Sequence, residues 1–125
     1  MNSLQAPSPE AVVQRQLVAY NARDLDTLIS IYADDAQQFE HPSKLLASGA
    51  AEIRARFAVR FAEPNLHATL KQRMVMGNLV IDHEEIARTF PEGPGRVELV
   101  AIYEVVEGRI SRAWFATGPR SLGAA

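Results

Sequence analysis

The stretch AYNARDLDTLISIYADDA, residues 19–36, carries the signals for two short helices in succession. Residues 21–23 interrupt one apolar pattern. Asp24 is a residue type that begins a new helix, because its side chain accepts hydrogen bonds from the free N–H groups of the first turn. Asp34 and Asp35 end the second pattern. We therefore predict a second helix that buries one stripe, formed by Leu25, Leu28, Ile29 and Tyr32.

One helix start lies upstream of this stretch, and a third helix lies downstream. Ser8-Pro9-Glu10 combines an N-cap residue, a proline at the first helical position and an acid in the first turn. The third helix is predicted to open at Ser48 or Gly49 and to stop at Glu63-Pro64-Asn65. The apolar faces of these two helices are Val13, Leu17 and Tyr20 in the first, and Ile53, Phe57 and Phe61 in the third.

Most of the remaining chain has the period of two that is typical of strands. A short strand is predicted over residues 36–41, directly before Pro42. Turn signals at Gly77-Asn78, at PEGPG (residues 91–95) and at Glu107-Gly108 then separate longer strands. The predicted strands of this meander are residues 66–76, 79–90, 96–106 and 109–117.

Three helices followed by a four-strand meander predict an α+β domain. The helices would cover one face of a strongly curved antiparallel sheet. The other face would carry apolar residues that are free to pair with a second subunit. At 125 residues, 47% of them hydrophobic, the chain has the size of one domain. We place that domain at residues 8–119, between flexible tails at residues 1–7 and 120–125.

The composition excludes several classes of function. The net charge is −2 and the basic residues are scattered, so we expect no nucleic-acid partner. The absence of cysteine removes disulfides, thiolate metal ligands and a Cys nucleophile. MNSLQAPSPE lacks the features of a secretion signal, and no apolar run approaches the roughly 20 residues that span a membrane. We therefore expect a cytoplasmic protein without membrane contact, and neither a cofactor nor a metal site.

Several motifs point to a known superfamily. They are VVQR (residues 12–15), NARDLD (21–26), ADDA (33–36), SGAAEIR (48–54) and RAWF (112–115). With the order of the predicted elements, they resemble the nuclear transport factor 2-like superfamily, which includes ketosteroid isomerases and SnoaL-like cyclases. The resemblance covers about Val12 to Phe115. It implies a cone-shaped, cystatin-like α+β barrel with a curved mixed or antiparallel sheet wrapped by three N-terminal helices, an internal apolar pocket and, usually, a homodimer.

The resemblance also implies where a site would lie. In the isomerases a carboxylate base moves a proton, while a tyrosine and a protonated aspartic acid hold the enolate oxygen. Carried over, the base falls on Glu40, the tyrosine position on Gln16 and the aspartic acid position on Ala101. Ala101 has no side-chain donor, and losing one oxyanion donor typically costs ~10²–10³ in rate. Steroid isomerisation by the same mechanism is therefore not expected.

Glu40 and His41 form a usable acid/base pair beside Pro42, and we name both as candidate catalytic residues. Adjacent strand residues point to opposite faces, so only one of them can face a pocket unless a bulge intervenes. The alternative is an exposed acid at a strand end. A buried Glu40 would have a raised pKa and could act as a base near neutral pH.

Residues 79–90 are more polar than a buried strand should be. A period of two places Asp82, Glu84 and Arg88 on one face and His83 on the other, and a slip of one residue reverses the two faces. The resemblance to the isomerases points the first set inward. The functional interpretation is a charged pocket patch in which Glu84 and Arg88 bind a polar group. The alternative is a network of ion pairs at a dimer face.

In this kind of fold the core and the pocket wall are continuous, so core aromatic residues are also candidates for ligand contact. Trp114 has the opposite parity to Phe115 and is expected on the interface face. The residues that we expect to line the pocket are Tyr20, Phe57, Tyr103 and Phe115.

Two functional hypotheses remain open. The first is a protein that binds a small hydrophobic or amphipathic molecule and acts as a cofactor-free isomerase, cyclase or hydratase-type enzyme. The second is a non-catalytic ligand-binding or dimerisation module with a vestigial pocket. A catalytic carboxylate should be buried and lack partners, whereas a vestigial one should be solvated or salt-bridged.

Overall fold

A computed structural model describes residues 6–123. Three helices, α1 (Pro9–Ala22), α2 (Leu25–Ile31) and α3 (Ala50–Phe61), pack on one face of a single sheet. The strands of the sheet, in chain order, are β1 (Tyr32–Glu40), β2 (Lys44–Ser48), β3 (His67–Met76), β4 (Leu79–Phe90), β5 (Gly93–Val106) and β6 (Arg109–Leu122). They lie side by side in the order β2-β1-β6-β5-β4-β3, so the sheet is not closed.

Local capping chemistry fixes the first two helices where the sequence predicted them. The Ser8 hydroxyl accepts a hydrogen bond of 3.1 Å from the backbone N–H of Ala11. α1 ends at Arg23, which takes a left-handed conformation with φ 55°. Asp24 then accepts a bond of 3.2 Å from the backbone N–H of Thr27 and begins α2 at once. The two helices are therefore joined without a linker.

The long strands are joined by the predicted hairpins. Gly77 has a φ of 59° at the turn between β3 and β4. Glu107 and Gly108 have φ values of 52° and 80°, the pair of positive angles that a two-residue turn between right-twisted strands requires. β1 runs parallel to β6, whereas every other neighbouring pair is antiparallel, so the sheet is mixed.

The predicted four-strand meander accounts for only β3 to β6. β1 joins the same sheet beside β6, and the sequence analysis missed β2. β2 spans five residues, and only Ala47 is buried in it. An edge strand of this kind shows no alternation of apolar and polar residues long enough to be recognised.

Three predicted boundaries were also wrong. Tyr32 belongs to β1 rather than to the stripe of α2, and it pairs with Ile110 of β6. Gly95 lies within β5 rather than in a turn. A glycine is required there because a Cβ would collide with the carbonyl oxygen of Ser121 on β6. β6 continues to Leu122, beyond the predicted end at residue 117. Of the predicted tails, residues 1–5 and 124–125 lie outside the described residues.

The two faces of the sheet differ in what covers them. The inner face packs against the helices, and the core contains Val12, Val13, Leu28, Ile53, Val80, Ala101 and Tyr103. The outer face carries a row of large apolar side chains at matched register across five strands. We call this row the outer stripe; its members are Phe39, Trp114, Ile102, Ile81 and Met74.

Candidate active site

A cavity of about 240 Å³ lies between the inner face of the sheet and the helices α1 and α3. Eight of the ten residues that the sequence analysis named as candidate catalytic or ligand-binding residues line it. The aromatic ones are Tyr20, Phe57, Tyr103 and Phe115, and the polar ones are Gln16, Glu40, Glu84 and Arg88. The wall therefore combines aromatic surface with a few polar groups, which is typical of small-molecule sites.

Glu84 is the buried carboxylate of this cavity. It lies in the middle of β4 and is 4% exposed. Among residues 6–123, no side chain forms a hydrogen bond or an ion pair with its carboxylate, which faces the cavity. Burial raises the pKa of Glu84 to about 7 from 4.5; the charge of Asp82 adds to the rise, and Arg73 opposes it. Both protonation states are therefore populated near neutral pH.

Asp82 lies two residues before Glu84, faces the same side of the sheet and is fully buried. Arg73 of β3 donates two hydrogen bonds to its carboxylate, of 2.7 and 2.9 Å. The Arg73 guanidinium also donates to Gln14 of α1 at 2.9 Å. The hydrogen bond to Asp82 raises the pKa of Arg73. This closed ion pair places a fixed negative charge next to Glu84.

The opposite wall of the cavity carries three arginines. Arg56 and Arg60 lie one turn apart on α3, and Arg88 reaches in from β4. Arg88 donates two hydrogen bonds to Glu63, of 2.7 and 2.9 Å, while Arg60 lies 3.6 Å from the same carboxylate. Burial opposes the effect of these partners, but the bonds from Arg88 and from the Thr89 backbone lower the pKa of Glu63. That carboxylate is therefore held ionised.

Two groups of hydrogen-bonded polar side chains adjoin the cavity. Arg56 donates a 2.6 Å hydrogen bond to the side-chain oxygen of Gln38, and the Gln38 amide donates to the Tyr32 hydroxyl at 3.5 Å. The Tyr103 hydroxyl donates to Gln16 at 3.5 Å. Burial raises the pKa values of Tyr20, Tyr32 and Tyr103, so all three hydroxyls stay protonated and remain donors.

The other residues named from the sequence lie differently. Glu40 reaches the cavity rim, but its side chain is 51% exposed and lies 4.0 Å from Lys44. His41 is exposed and does not line the cavity. Ala101 is buried beneath the cavity surface, in register with Asp82 and Phe115. The burial that we expected of a pocket base is therefore found at Glu84 and not at Glu40.

The structure resolves the register of residues 79–90. Asp82, Glu84 and Ile86 are buried on the inner face, whereas His83 lies on the outer face, 3.3 Å from Glu98. Each face of this strand therefore carries charged groups of its own. Within residues 6–123, no group of three or more His, Asp or Glu side chains is arranged to hold a metal ion.

The sequence analysis did not name Arg56, Arg60 or Gln38. A signal for the two arginines was present, because both adjoin the apolar face of α3 that contains Phe57 and are spaced four residues apart. Nothing in the sequence linked Gln38 to them, since that contact joins β1 to α3.

A comparison of the sequence with models of protein families identifies the family of the chain. The family model of the SnoaL-like domain matches residues 13–113. The chain belongs to the SnoaL-like family. No curated protein is significantly similar to this SnoaL-like chain in sequence. No helix within the described residues has both the length and the apolar character needed to cross a membrane.

Solved structures confirm the cone-shaped, cystatin-like fold and the membership of the nuclear transport factor 2-like superfamily. An uncharacterised cystatin-fold protein from Novosphingobium aromaticivorans is 28% identical, with a TM-score of 0.80 over 88% of this chain and 98% of its own. A protein of ketosteroid isomerase-like fold from Catenulispora acidiphila, in complex with trimethylamine, is 18% identical, with a TM-score of 0.73 over 87% and 85%. An LEH-like epoxide hydrolase from Mycobacterium tuberculosis is 16% identical, with a TM-score of 0.76 over 87% and 81%.

Proposed function

We propose that this SnoaL-like protein is a cofactor-free enzyme that moves a proton on a small organic molecule, with Glu84 as the acid/base. One observation carries the proposal: Glu84 lines the cavity, is 4% exposed, receives no hydrogen bond from the residues that the structure describes and has a pKa of about 7. A general base works best when its pKa lies near the working pH. Glu84 meets the criterion that we set for a catalytic carboxylate, and Glu40 does not.

The proton transfer needs no added reactant. Ionised Glu84 takes a proton from a carbon next to a carbonyl group, the C–H bond breaks, and its electron pair moves into the carbonyl as an enolate. A protonated tyrosine, Tyr103 or Tyr20, donates a hydrogen bond to the enolate oxygen. Where the substrate has a C=C bond β,γ to the carbonyl, the enolate is conjugated with it, and protonated Glu84 returns the proton to the γ carbon, which gives the conjugated isomer. In a cyclase-type reaction the enolate attacks a second carbonyl carbon instead.

The cavity limits the size of the substrate. Its volume of about 240 Å³ lies just below the roughly 300–1,000 Å³ typical of pockets for drug-sized ligands. The changed residues at positions 16 and 101 already make steroid isomerisation improbable on chemical grounds. We therefore propose a hydrophobic or amphipathic substrate smaller than a steroid.

We also propose a homodimer formed through the outer face of the sheet. The outer stripe crosses five strands, and the Phe39 and Trp114 rings stack with centroids 5.8 Å apart. Met74 at one end of the stripe is 57% exposed. A contiguous apolar patch of this kind on a sheet face is typical of a subunit interface.

The test is proton exchange followed by NMR in D₂O. Cyclopentanone, 2-pentanone and 4-oxopentanoate are incubated with wild type, Glu84→Gln and Glu85→Gln. Glu85 neighbours Glu84 but is paired with Arg96 on the outer face, which makes it a matched control. We expect exchange to fall by about 10²–10⁴ in Glu84→Gln and to persist in Glu85→Gln.

Two results would contradict this function. Equal exchange rates in wild type and Glu84→Gln would remove Glu84 as the acid/base. The absence of exchange with every ketone, together with measurable binding of the same ketones, would favour the non-catalytic ligand-binding module. The solvated position of Glu40 and the alanine at position 101 are the observations that favour that second candidate.

A further inference from the structure

Arg56 is a cation on the cavity wall without an anion beside it. Among residues 6–123, no carboxylate lies within ion-pair distance of its guanidinium, and its one side-chain partner is the neutral amide of Gln38. Burial lowers the pKa of Arg56, and the charge of Arg60 lowers it further. A partly buried guanidinium beside a like charge is unfavourable unless an anion offsets it.

The neighbouring charges do not supply that anion. Glu63 is engaged by both guanidinium bonds of Arg88 and by the Thr89 backbone N–H at 3.0 Å. Arg60, 3.6 Å from Glu63, shares a carboxylate that already serves Arg88. Three guanidiniums at this end of the cavity therefore face one carboxylate.

Two further carboxylates line the cavity, and neither neutralises Arg56. Glu40 lies at the rim, half exposed and closest to Lys44. Glu84 belongs to the opposite side, where it lies beside the Arg73–Asp82 pair, and it is largely neutral below pH 7. The cavity thus has a proton-exchanging side at β4 and a positively charged side at α3.

We propose that Arg56 and Arg60 form a subsite for the carboxylate of a small organic acid. This inference rests on the proposed function, because it assigns the class of substrate that the Glu84 site takes. The 2.6 Å bond to Gln38 holds Arg56 in place, and a planar guanidinium matches a carboxylate through two parallel hydrogen bonds. The aromatic wall beside the arginines suits an anion that is carried on a carbon chain.

The subsite fixes how the substrate lies in the cavity. The carboxylate remains ionised at α3, while the carbonyl and its neighbouring C–H group extend toward Glu84 and the tyrosine hydroxyls. The aromatic wall between the two sides, which includes Tyr20 and Phe57, packs against the carbon chain. A keto acid with a short carbon chain has this arrangement of groups.

The experiment compares matched ligands by calorimetry or NMR titration. The keto acids are 4-oxopentanoate, 5-oxohexanoate and 6-oxoheptanoate, each set against its methyl ester, with inorganic phosphate as a separate probe. We expect wild type to bind at least one keto acid about 10-fold or more tightly than the ester, and Arg56→Gln to lose that preference. Arg54→Gln is the control, since Arg54 lies on the same helix but pairs with Asp26.

Each other outcome would overturn the subsite. It fails if no keto acid is preferred over its ester in wild type, if Arg56→Gln keeps the preference, or if phosphate binds more tightly than every keto acid. Arg56→Gln should fold, because it removes an unpaired charge, and its circular dichroism and melting temperature confirm this. Glu84→Gln should keep the preference for the acid. Proton exchange tests the role of Glu84, and the preference for the acid over its ester tests Arg56. The failure of one proposal can therefore be told from the failure of the other.

Discussion

Asp82 and Glu84 point to the same side of β4, but they differ in their partners. Arg73 holds the Asp82 carboxylate with two hydrogen bonds, whereas nothing in the part of the chain that the structure describes donates to Glu84, which is 4% exposed. One carboxylate of the pair is therefore held by a cation, whereas burial raises the pKa of the other, Glu84, to about 7. A carboxyl group whose pKa is raised toward neutrality by its surroundings is typical of acid/base sites.

The first prediction concerns stability and pH. The pKa of Glu84 is about 7 in the folded protein, against 4.5 for an ordinary glutamate, as in the unfolded chain. Between these two pH values the folded protein therefore holds a proton on Glu84 that the unfolded chain has lost. Stability contributed by the protonated group is complete below pH 4.5 and is lost as the pH rises through 7. The loss amounts to about 3 kcal/mol above pH 7.

Glu84→Gln removes this penalty, because the amide does not ionise. We expect the variant to melt higher than wild type at pH 8, by roughly 10 °C, and to lose most of that advantage at pH 5. Differential scanning calorimetry at the two pH values measures the difference. Glu40→Gln is the control and should show no such dependence, since Glu40 is half exposed at the rim. A gain for Glu84→Gln of the same size at both pH values would contradict the ionisation of Glu84.

The second prediction concerns the coupling between the two carboxylates. Asp82→Asn removes the negative charge that raises the pKa of Glu84 and leaves Arg73 to stabilise the ionised form. We therefore expect the pKa of Glu84 to fall from about 7 toward 4.5. A carboxyl ¹³C NMR titration reads it directly, with the Glu84 signal assigned by its absence in Glu84→Gln.

The control for this titration is Glu98→Gln, which removes a charge from the outer face, where Glu98 pairs with His83. The pKa of Glu84 should not move in that variant. A pKa of Glu84 that stays near 7 in Asp82→Asn would show that burial alone raises it. Asp82→Asn should also be less stable, by about 3–5 kcal/mol, because it leaves the Arg73 charge buried and unpaired.

Local chemistry made the starts of α1 and α2 and two of the hairpin turns predictable. Ser8 and Asp24 each cap a helix by accepting a hydrogen bond from the residue three positions later. These helix starts can therefore be predicted from a few neighbouring residues. The turns at Gly77-Asn78 and Glu107-Gly108 are equally local. β2 was not predicted because its five residues, of which only Ala47 is buried, show too short an alternation to be recognised.

The site was harder to predict than the fold because burial is a property of the assembled molecule. Glu40 and Glu84 are both glutamates on strands, and only the packing of α1 and α3 over β4 makes Glu84 the buried one. The resemblance to the isomerases predicted that Glu84 faces inward, but it assigned the base to Glu40. The sequence analysis did not name Arg56 and Arg60, because their role depends on contacts with Gln38 and Glu63, which lie outside α3.

The last prediction concerns the outer stripe. Ile81 lies within the stripe, paired with Ile102 on one side and Met74 on the other. Ile81→Glu would place a charge inside the proposed dimer interface, where its desolvation is costly. We expect wild type to sediment as a species of twice 13.8 kDa and Ile81→Glu to sediment as a monomer.

Val59→Glu is the matched control for sedimentation. Val59 is 76% exposed on α3, away from the outer face, so a charge there should leave the dimer intact. Circular dichroism shows whether Ile81→Glu keeps its fold, which separates dissociation from unfolding. A wild-type protein that sediments as a monomer at all concentrations, or a folded Ile81→Glu that remains a dimer, would show that the outer stripe does not join two subunits.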